Sequence, residues 1–216
     1  MKALREVGAE DNTIIFFLSD NGGCAEQNIK GEKAVPPGPG DSFTSYRRPW
    51  ANASNTPFRL YKHWVHEGGI STPFIASWPA VIKNHNSLHH ERAHIIDLMA
   101  TALDVAGGKY PSTYQGRQIH PLEGKSLLPA FQGRRRELHE AIYWEHEGNK
   151  AVSTGKWKLV SRYPDKWQLF DLEEDRTELR DLSGDRPGVV KDLAARWQAW
   201  ADRSNVVPWA DLRRHA

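Results

Sequence analysis

A single cysteine, Cys24, stands among 216 residues, so no disulfide can close within the chain and the redox compartment is left open. No stretch approaches the ~18 consecutive apolar residues of a membrane-spanning helix. The first residues do not read as a signal peptide, because Lys2, Arg5, Glu6, Glu10 and Asp11 interrupt any apolar run. No sign of charge prevails. With a formal net charge of +2 and both signs mixed along the chain, bulk electrostatics predict neither nucleic-acid nor membrane binding. The longest single-sign run, Arg134-Arg135-Arg136, reads as a solvated loop, and no internal repeat is found. The length allows a good core, as one domain or as a domain with a small appendage.

Against these absences stands the run Thr13-Ile14-Ile15-Phe16-Phe17-Leu18-Ser19-Asp20-Asn21-Gly22-Gly23. Its apolar part has the composition of a strand buried on both faces, as in a parallel sheet. In open α/β sheets, ligands collect just beyond the carboxyl ends of such strands, where Asp20 and Asn21 would stand. A carboxylate beside a side-chain carbonyl is a hard-oxygen pair suited to Ca²⁺ or Mg²⁺. Asn-Gly is also a strong turn signal, and on these residues alone the turn and the metal site are evenly matched.

The rest of the chain divides by pattern. Residues 2–9 read as a helix end, and 24–49, rich in Gly, Pro and charge, as a long loop. Asn55 or Thr56 can cap a short helix with Pro57 at its first position, ended by Gly68 and Gly69. On that helix Arg59, Lys62 and His66 share one face, while His63 points elsewhere. Phe74 to Trp78 reads as a core strand, and 94–106 as an amphipathic helix packing through Ile95, Leu98, Met99, Ala102 and Val105. Four short strands follow, at 140–145, 149–154, 156–162 and 167–172, and then a helix at 186–203. An antiparallel meander with one helix across it covers the single apolar face. Trp144, Trp157, Trp167, Trp197 and Trp200 fit as packing residues there, whereas Trp50 and Trp78 could line a pocket for an aromatic group.

The segment Trp50 to Pro73, with Lys62-His63-Trp64-Val65-His66-Glu67-Gly68-Gly69, leads into Phe74-Ile75-Ala76-Ser77-Trp78-Pro79. Together with Ser19-Asp20-Asn21-Gly22-Gly23 it closely resembles the C-terminal half of the sulfatase family, arylsulfatases in particular. The likeness runs on through His94 to Gly107, Gly124-Lys125-Ser126-Leu127-Leu128-Pro129, Gly155 to Val160 and Trp167 to Leu172, in the family's order. The resemblance implies an α/β fold: residues 1–135 as the C-terminal part of an alkaline-phosphatase-like sheet domain, and 136–216 as a small antiparallel-sheet subdomain with a final helix. It implies a sulfuric ester hydrolase in which Asp20 and Asn21 are metal ligands, for Ca²⁺ or else Mg²⁺, and Lys62 contacts the substrate's sulfate.

A positioned ammonium suits that task, because a sulfate ester carries fixed negative charge and more develops on the bridging oxygen as the S–O bond breaks. Read without the resemblance, Lys62 is a surface lysine near a helix C-terminus. His66 is a candidate donor to the leaving group or the sulfate, or else satisfies the helix's last carbonyls. His85, His89, His90 and His94 tempt a zinc reading but lack a His-Glu-x-x-His frame.

The family's nucleophile, a formylglycine made from Cys/Ser-x-Pro-x-Arg, has no counterpart here. Cys24 is followed by Ala25 and Glu26, Ser77-Trp78-Pro79-Ala80 by Val81, and Ser71-Thr72-Pro73 has Ile75 in the arginine's place. The family's first Asp-Asp metal pair is absent too. The resemblance therefore implies a C-terminal fragment, inactive alone, whose partners are a small aryl or carbohydrate sulfate and an N-terminal half. If an export signal precedes Met1, a periplasmic or secreted location follows; otherwise location is open. Two other readings stand beside it: a non-catalytic half-domain or divalent-ion-binding pseudoenzyme, and a phosphoryl-transfer enzyme of the same superfamily. The latter lacks the extra Asp and His ligands of a two-zinc site.

Overall fold

The computed structural model describes residues 1–26, 38–40, 42, 45 and 47–213. Most of the long loop read at 24–49 lies outside them. In chain order the elements are α1 (Lys2–Glu6), β1 (Ile15–Leu18), α2 (Arg47–Asn55), α3 (Glu67–Ile70), β2 (Phe74–Ser77) and α4 (Ile96–Val105). Then come β3 (Thr113–Tyr114), β4 (Arg117–Gln118), α5 (Leu128–Phe131), β5 (Ile142–His146), β6 (Asn149–Ser153), β7 (Trp157–Ser161), β8 (Gln168–Asp171), α6 (Pro187–Arg203) and α7 (Trp209–Leu212). The chain is mixed α/β with small antiparallel sheets. Its contacts group into two compact units, one of residues 1–18 and 74–140, the other of 19–73 and 141–216.

In the first unit β1 pairs with β2, from Ile15 opposite Ser77 to Leu18 opposite Phe74. The pair is antiparallel, which corrects the parallel arrangement expected from the apolar run. Nor is the strand buried on both faces. Phe16 packs on Phe74 and Phe131, with ring centres 5.5 and 6.0 Å apart. The opposed pair Phe17 and Ile75 is 69% and 58% exposed. A continuous apolar run marks a strand for two-sided burial, and among the described residues only one side is covered.

Helix α4 forms where the periodicity places it but turns a different face inward. Asp97, Ala100 and Thr101 are buried, whereas Ile95, Met99 and Val105 are exposed. Polar satisfaction outweighs apolar periodicity here. The Asp97 carboxylate accepts the His94 N–H at 3.0 Å and the Lys125 N–H at 2.8 Å, and lies 2.6 Å from His139 Nε2. The Thr101 hydroxyl donates to the Asp97 carbonyl at 2.6 Å and accepts the Leu127 N–H at 2.9 Å. Arg136 is buried beside this carboxylate, 3.6 Å away, and also donates to the Arg92 carbonyl.

In the second unit β5–β8 form a four-stranded antiparallel meander in sequential order, with α6 across it. Alternation explains the packing: Val152, Leu159 and Leu169 point to one face and meet Leu193, Trp197 and Ala201 of α6. The tryptophans serve that core, Trp200 stacking on Tyr143 at 5.3 Å and Trp197 donating its indole N–H to the Trp144 carbonyl at 3.0 Å. The opposite face is also buried. Ala151, Val160 and Phe170 pack against Val65 and Ile70, so residues 65–70 cover the face that α6 leaves.

Candidate active site

Residues 56–66 do not form the expected helix. Helix α2 ends at Asn55, where that helix was to begin, and the chain then follows turns with left-handed backbone at Leu60 (φ 65°) and His63 (φ 92°). Backbone groups that would have bonded along a helix are taken by tertiary partners. The Lys62 N–H donates to the Gly23 carbonyl at 3.0 Å, the Gly68 N–H to the Arg59 carbonyl at 3.0 Å, and the Asn55 amide to the Leu60 carbonyl at 3.0 Å. Arg59, Lys62 and His66 therefore do not share a helical face.

The same bonds join this segment to the Asp20-Asn21-Gly22-Gly23 turn. The Gly22 N–H donates to the Gly69 carbonyl at 2.9 Å, the Gly23 N–H to the Asn55 side-chain carbonyl at 2.9 Å, and the Thr72 hydroxyl to the Ser19 carbonyl at 3.0 Å. Close backbone approach is why glycine stands at two of these places. A Cβ on Gly22 would lie 1.9 Å from the Gly68 carbonyl oxygen, and one on Gly69 1.8 Å from that of Trp64. Gly68 and Gly69 thus lie within α3 and admit neighbouring backbone; they do not end a helix. Asn55, read as a cap, is the clamp between turn and segment. Its amide oxygen meets Gly23, 32 residues earlier in the chain, so no local pattern marks that half of the role.

Asp20 is exposed, and its carboxylate has no protein partner among the described residues; Asn21 is half-buried. Lys62 is partly exposed, with its ammonium 3.7 Å from Glu26. His66 is 1% exposed, and neither ring nitrogen has a partner at hydrogen-bonding geometry among the described residues. Burial, then the positive charges of Lys158, Arg59 and Arg162, lowers its pKa to about 3, with Gln168 opposing slightly. The ring is neutral at physiological pH. It satisfies no helix carbonyl.

Beneath the segment lies an ion network that the sequence did not announce. Lys158, fully buried on β7, stands 2.9 Å from both Glu67 and Glu178. Glu178 also accepts the Glu67 N–H at 2.8 Å, and its carbonyl accepts from Arg59 at 2.8 Å. Arg176 reaches Glu67 at 3.3 Å. Burial raises the Glu178 carboxyl above its ordinary range, while at Glu67 burial is outweighed by Lys158 and Arg176, which lower it. Alternation along β7 could have flagged Lys158, a lysine at an inward position between apolar strands. Its partners could not have been named.

The histidines at 85, 89, 90 and 94 do not converge as metal ligands among the described residues. Trp50 is exposed, and Cys24 is half-buried.

The sulfatase family model matches residues 1–108, and the model for the C-terminal region of N-sulphoglucosamine sulphohydrolase matches residues 58–200. An uncharacterized sulfatase of Schizosaccharomyces pombe is 30% identical over 173 residues, covering 73% of this chain and 31% of that protein. The arylsulfatase of Klebsiella aerogenes is 30% identical over 154 residues, covering 64% and 33%. Human N-acetylgalactosamine-6-sulfatase is 28% identical over 163 residues, covering 73% and 27%. The chain thus spans about a third or less of the length of these relatives. Among solved structures, a sulfatase from Pseudoalteromonas sp. shares the fold with a TM-score of 0.60 at 21% identity, over 93% of this chain and 39% of that one.

Proposed function

The chain belongs to the sulfatase family, and on that premise we propose that it contributes one part of a site hydrolysing sulfate monoesters, of aryl or carbohydrate type. The observation that carries this reading is the stitching of the Asp20–Gly23 turn to residues 55–72, which sets Lys62 beside the turn that bears the two oxygen donors.

The donor set fits a hard divalent cation. Asp20 offers an exposed carboxylate without a protein partner among the described residues, and Asn21 an adjacent amide oxygen. A Ca²⁺ or Mg²⁺ ion, when bound, supplies positive charge toward the sulfate oxygens. Lys62 exchanges its Glu26 partner for the sulfate and stabilises charge on the bridging oxygen as the ester bond breaks. His66 enters as a neutral hydrogen-bonding ring, since its depressed pKa leaves almost no imidazolium to give up a proton. None of Cys24, Ser71 or Ser77 sits in a formylglycine motif, so the attacking group of the family mechanism is not among these residues.

Calorimetric titration of the chain with Ca²⁺ tests the metal assignment. One carboxylate and one amide oxygen predict weak binding, on the order of 10⁻⁴–10⁻³ M. The binding should disappear in Asp20→Ala and survive in Lys62→Ala. Binding that ignores Asp20→Ala contradicts the assignment.

A further inference from the structure

A second group of metal-binding side chains lies apart from the oxygen pair. His63, His146 and Glu147 each place one ligand atom so that all three lie within 4.8 Å of one another. We propose that these residues hold a borderline divalent cation, Zn²⁺, independently of Asp20 and Asn21.

The geometry favours a tetrahedral ion. His63 Nδ1 and Glu147 Oε2 are 3.2 Å apart, and the two imidazoles stand at 79° with ring centres 5.3 Å apart. A tetrahedral centre with bonds of about 2.0–2.1 Å puts neighbouring ligand atoms about 3.3 Å apart and two bound imidazole centres about 5 Å apart. Both spacings are met without a metal. The third ligand distance closes by side-chain rotation, which exposed His146 and Glu147 allow.

Chemistry selects the ion. Two imidazoles, which are borderline donors, beside one carboxylate oxygen suit zinc and poorly suit calcium, which takes only oxygen. Three protein ligands leave a fourth position to solvent.

The frame is built. Glu147 (φ 51°) and Gly148 (φ 83°) form the two-residue turn between β5 and β6, which fixes His146 and Glu147 at one hairpin tip. Asn149, 1% exposed, donates to the His146 carbonyl at 2.9 Å, accepts the Tyr163 N–H at 3.0 Å, and reaches the His63 carbonyl at 3.4 Å. That buried amide bridges the hairpin to the loop bearing His63, a residue the sequence reading set aside. Without metal, His63 Nδ1 and Glu147 Oε2 stand 3.2 Å apart, and a bound ion would replace that contact. Occupancy would tie the loop that carries Lys62 to the hairpin.

The test titrates the metal-stripped full chain with ZnCl₂ and, separately, with Co²⁺ as a spectroscopic probe. The expected result is 1:1 binding, with visible absorption of tetrahedral cobalt that Zn²⁺ abolishes. His146→Ala and Glu147→Gln should each weaken Zn²⁺ binding at least tenfold, while Asp20→Ala leaves it unchanged. Circular dichroism confirms that these surface variants fold, and the cobalt spectrum of the unmutated chain stands without them. No saturable Zn²⁺ binding, an octahedral cobalt spectrum, or Zn²⁺ binding lost in His89→Ala but kept in His146→Ala would overturn the proposal. Failure of the Ca²⁺ titration alone would leave it standing.

Discussion

Lys62 donates its backbone N–H to the Gly23 carbonyl at 3.0 Å, so the proposed sulfate-binding lysine is hydrogen-bonded to the turn that carries Asp20 and Asn21. Residues 39 positions apart are held in register by main chain, leaving the ammonium free to exchange Glu26 for a ligand. Convergence matters because screening reduces charge attraction to little beyond about 8–10 Å at physiological salt.

Close backbone packing makes the first prediction. Alanine at Gly69 would place a methyl group 1.8 Å from the Trp64 carbonyl oxygen, and backbone cannot yield as a side-chain tip does. Gly69→Ala should lose about 2–3 kcal/mol or more. Gly184→Ala, with open space around the added methyl, should change stability by about 0.5 kcal/mol at most. Urea denaturation of both variants checks this; equal midpoints would contradict it.

The buried network makes the second. Lys158→Met leaves Glu67 and Glu178 together without their shared cation, and should cost about 3–5 kcal/mol. Glu67 keeps Arg176 at 3.3 Å, so adding Glu178→Gln removes the carboxylate that Lys158 alone had paired and should recover part of the loss. Chemical denaturation of the single and double variants decides; a double variant no more stable than the single would contradict the account.

His66 gives a pH dependence. Its folded pKa, about 3, lies below the ordinary 6.5, so between these values the unfolded chain binds the extra proton. Stability from this group is present above pH 6.5 and is lost as pH falls toward 3, at about 1.4 kcal/mol per pH unit at the steepest. In His66→Gln the slope between pH 6.5 and 4.5 should flatten. An identical slope in both proteins would contradict the assignment.

In the first unit, Asp97 is the residue to remove. Its buried carboxylate accepts two backbone N–H groups, lies 2.6 Å from His139 Nε2, and is paired at 3.6 Å with the buried Arg136, which Glu91 also meets at 3.5 Å. Asp97→Ala should cost about 3–5 kcal/mol, whereas Met99→Ala, on the exposed face of α4, should cost about 0.5 kcal/mol or less. Thermal denaturation distinguishes these. A larger loss in Met99→Ala would restore the apolar face that periodicity suggested.

What the sequence made legible followed local rules. Alternation and turn residues placed β5–β8, and helical spacing placed α6, each within one or two residues of the observed bounds. The run Ile14–Leu18 was legible as a strand, but neither its antiparallel partner nor the exposure of Phe17 is written in its own residues. Residues 56–66 were misread because spacing suggested a helix, while Gly23, Asn55 and Gly68 claim its backbone groups from elsewhere. Asp20, Asn21 and Lys62 were nameable through family resemblance. Asn55, Lys158 and His63 were not, because Gly23, Glu67 and Asn149, which they meet, lie 32, 91 and 86 positions away.

The central claim is that this chain supplies Lys62 and the Asp20–Asn21 pair to a sulfatase site but no nucleophile. It is tested most directly by hydrolysis of a chromogenic aryl sulfate in the presence of Ca²⁺. The chain alone should show no turnover above background. Joined to an N-terminal sulfatase segment that carries the formylglycine motif, it should become active, and Lys62→Ala should then lower kcat about 100-fold or more. Turnover by the isolated chain that Lys62→Ala abolishes, or a joined enzyme indifferent to Lys62→Ala, would contradict the account.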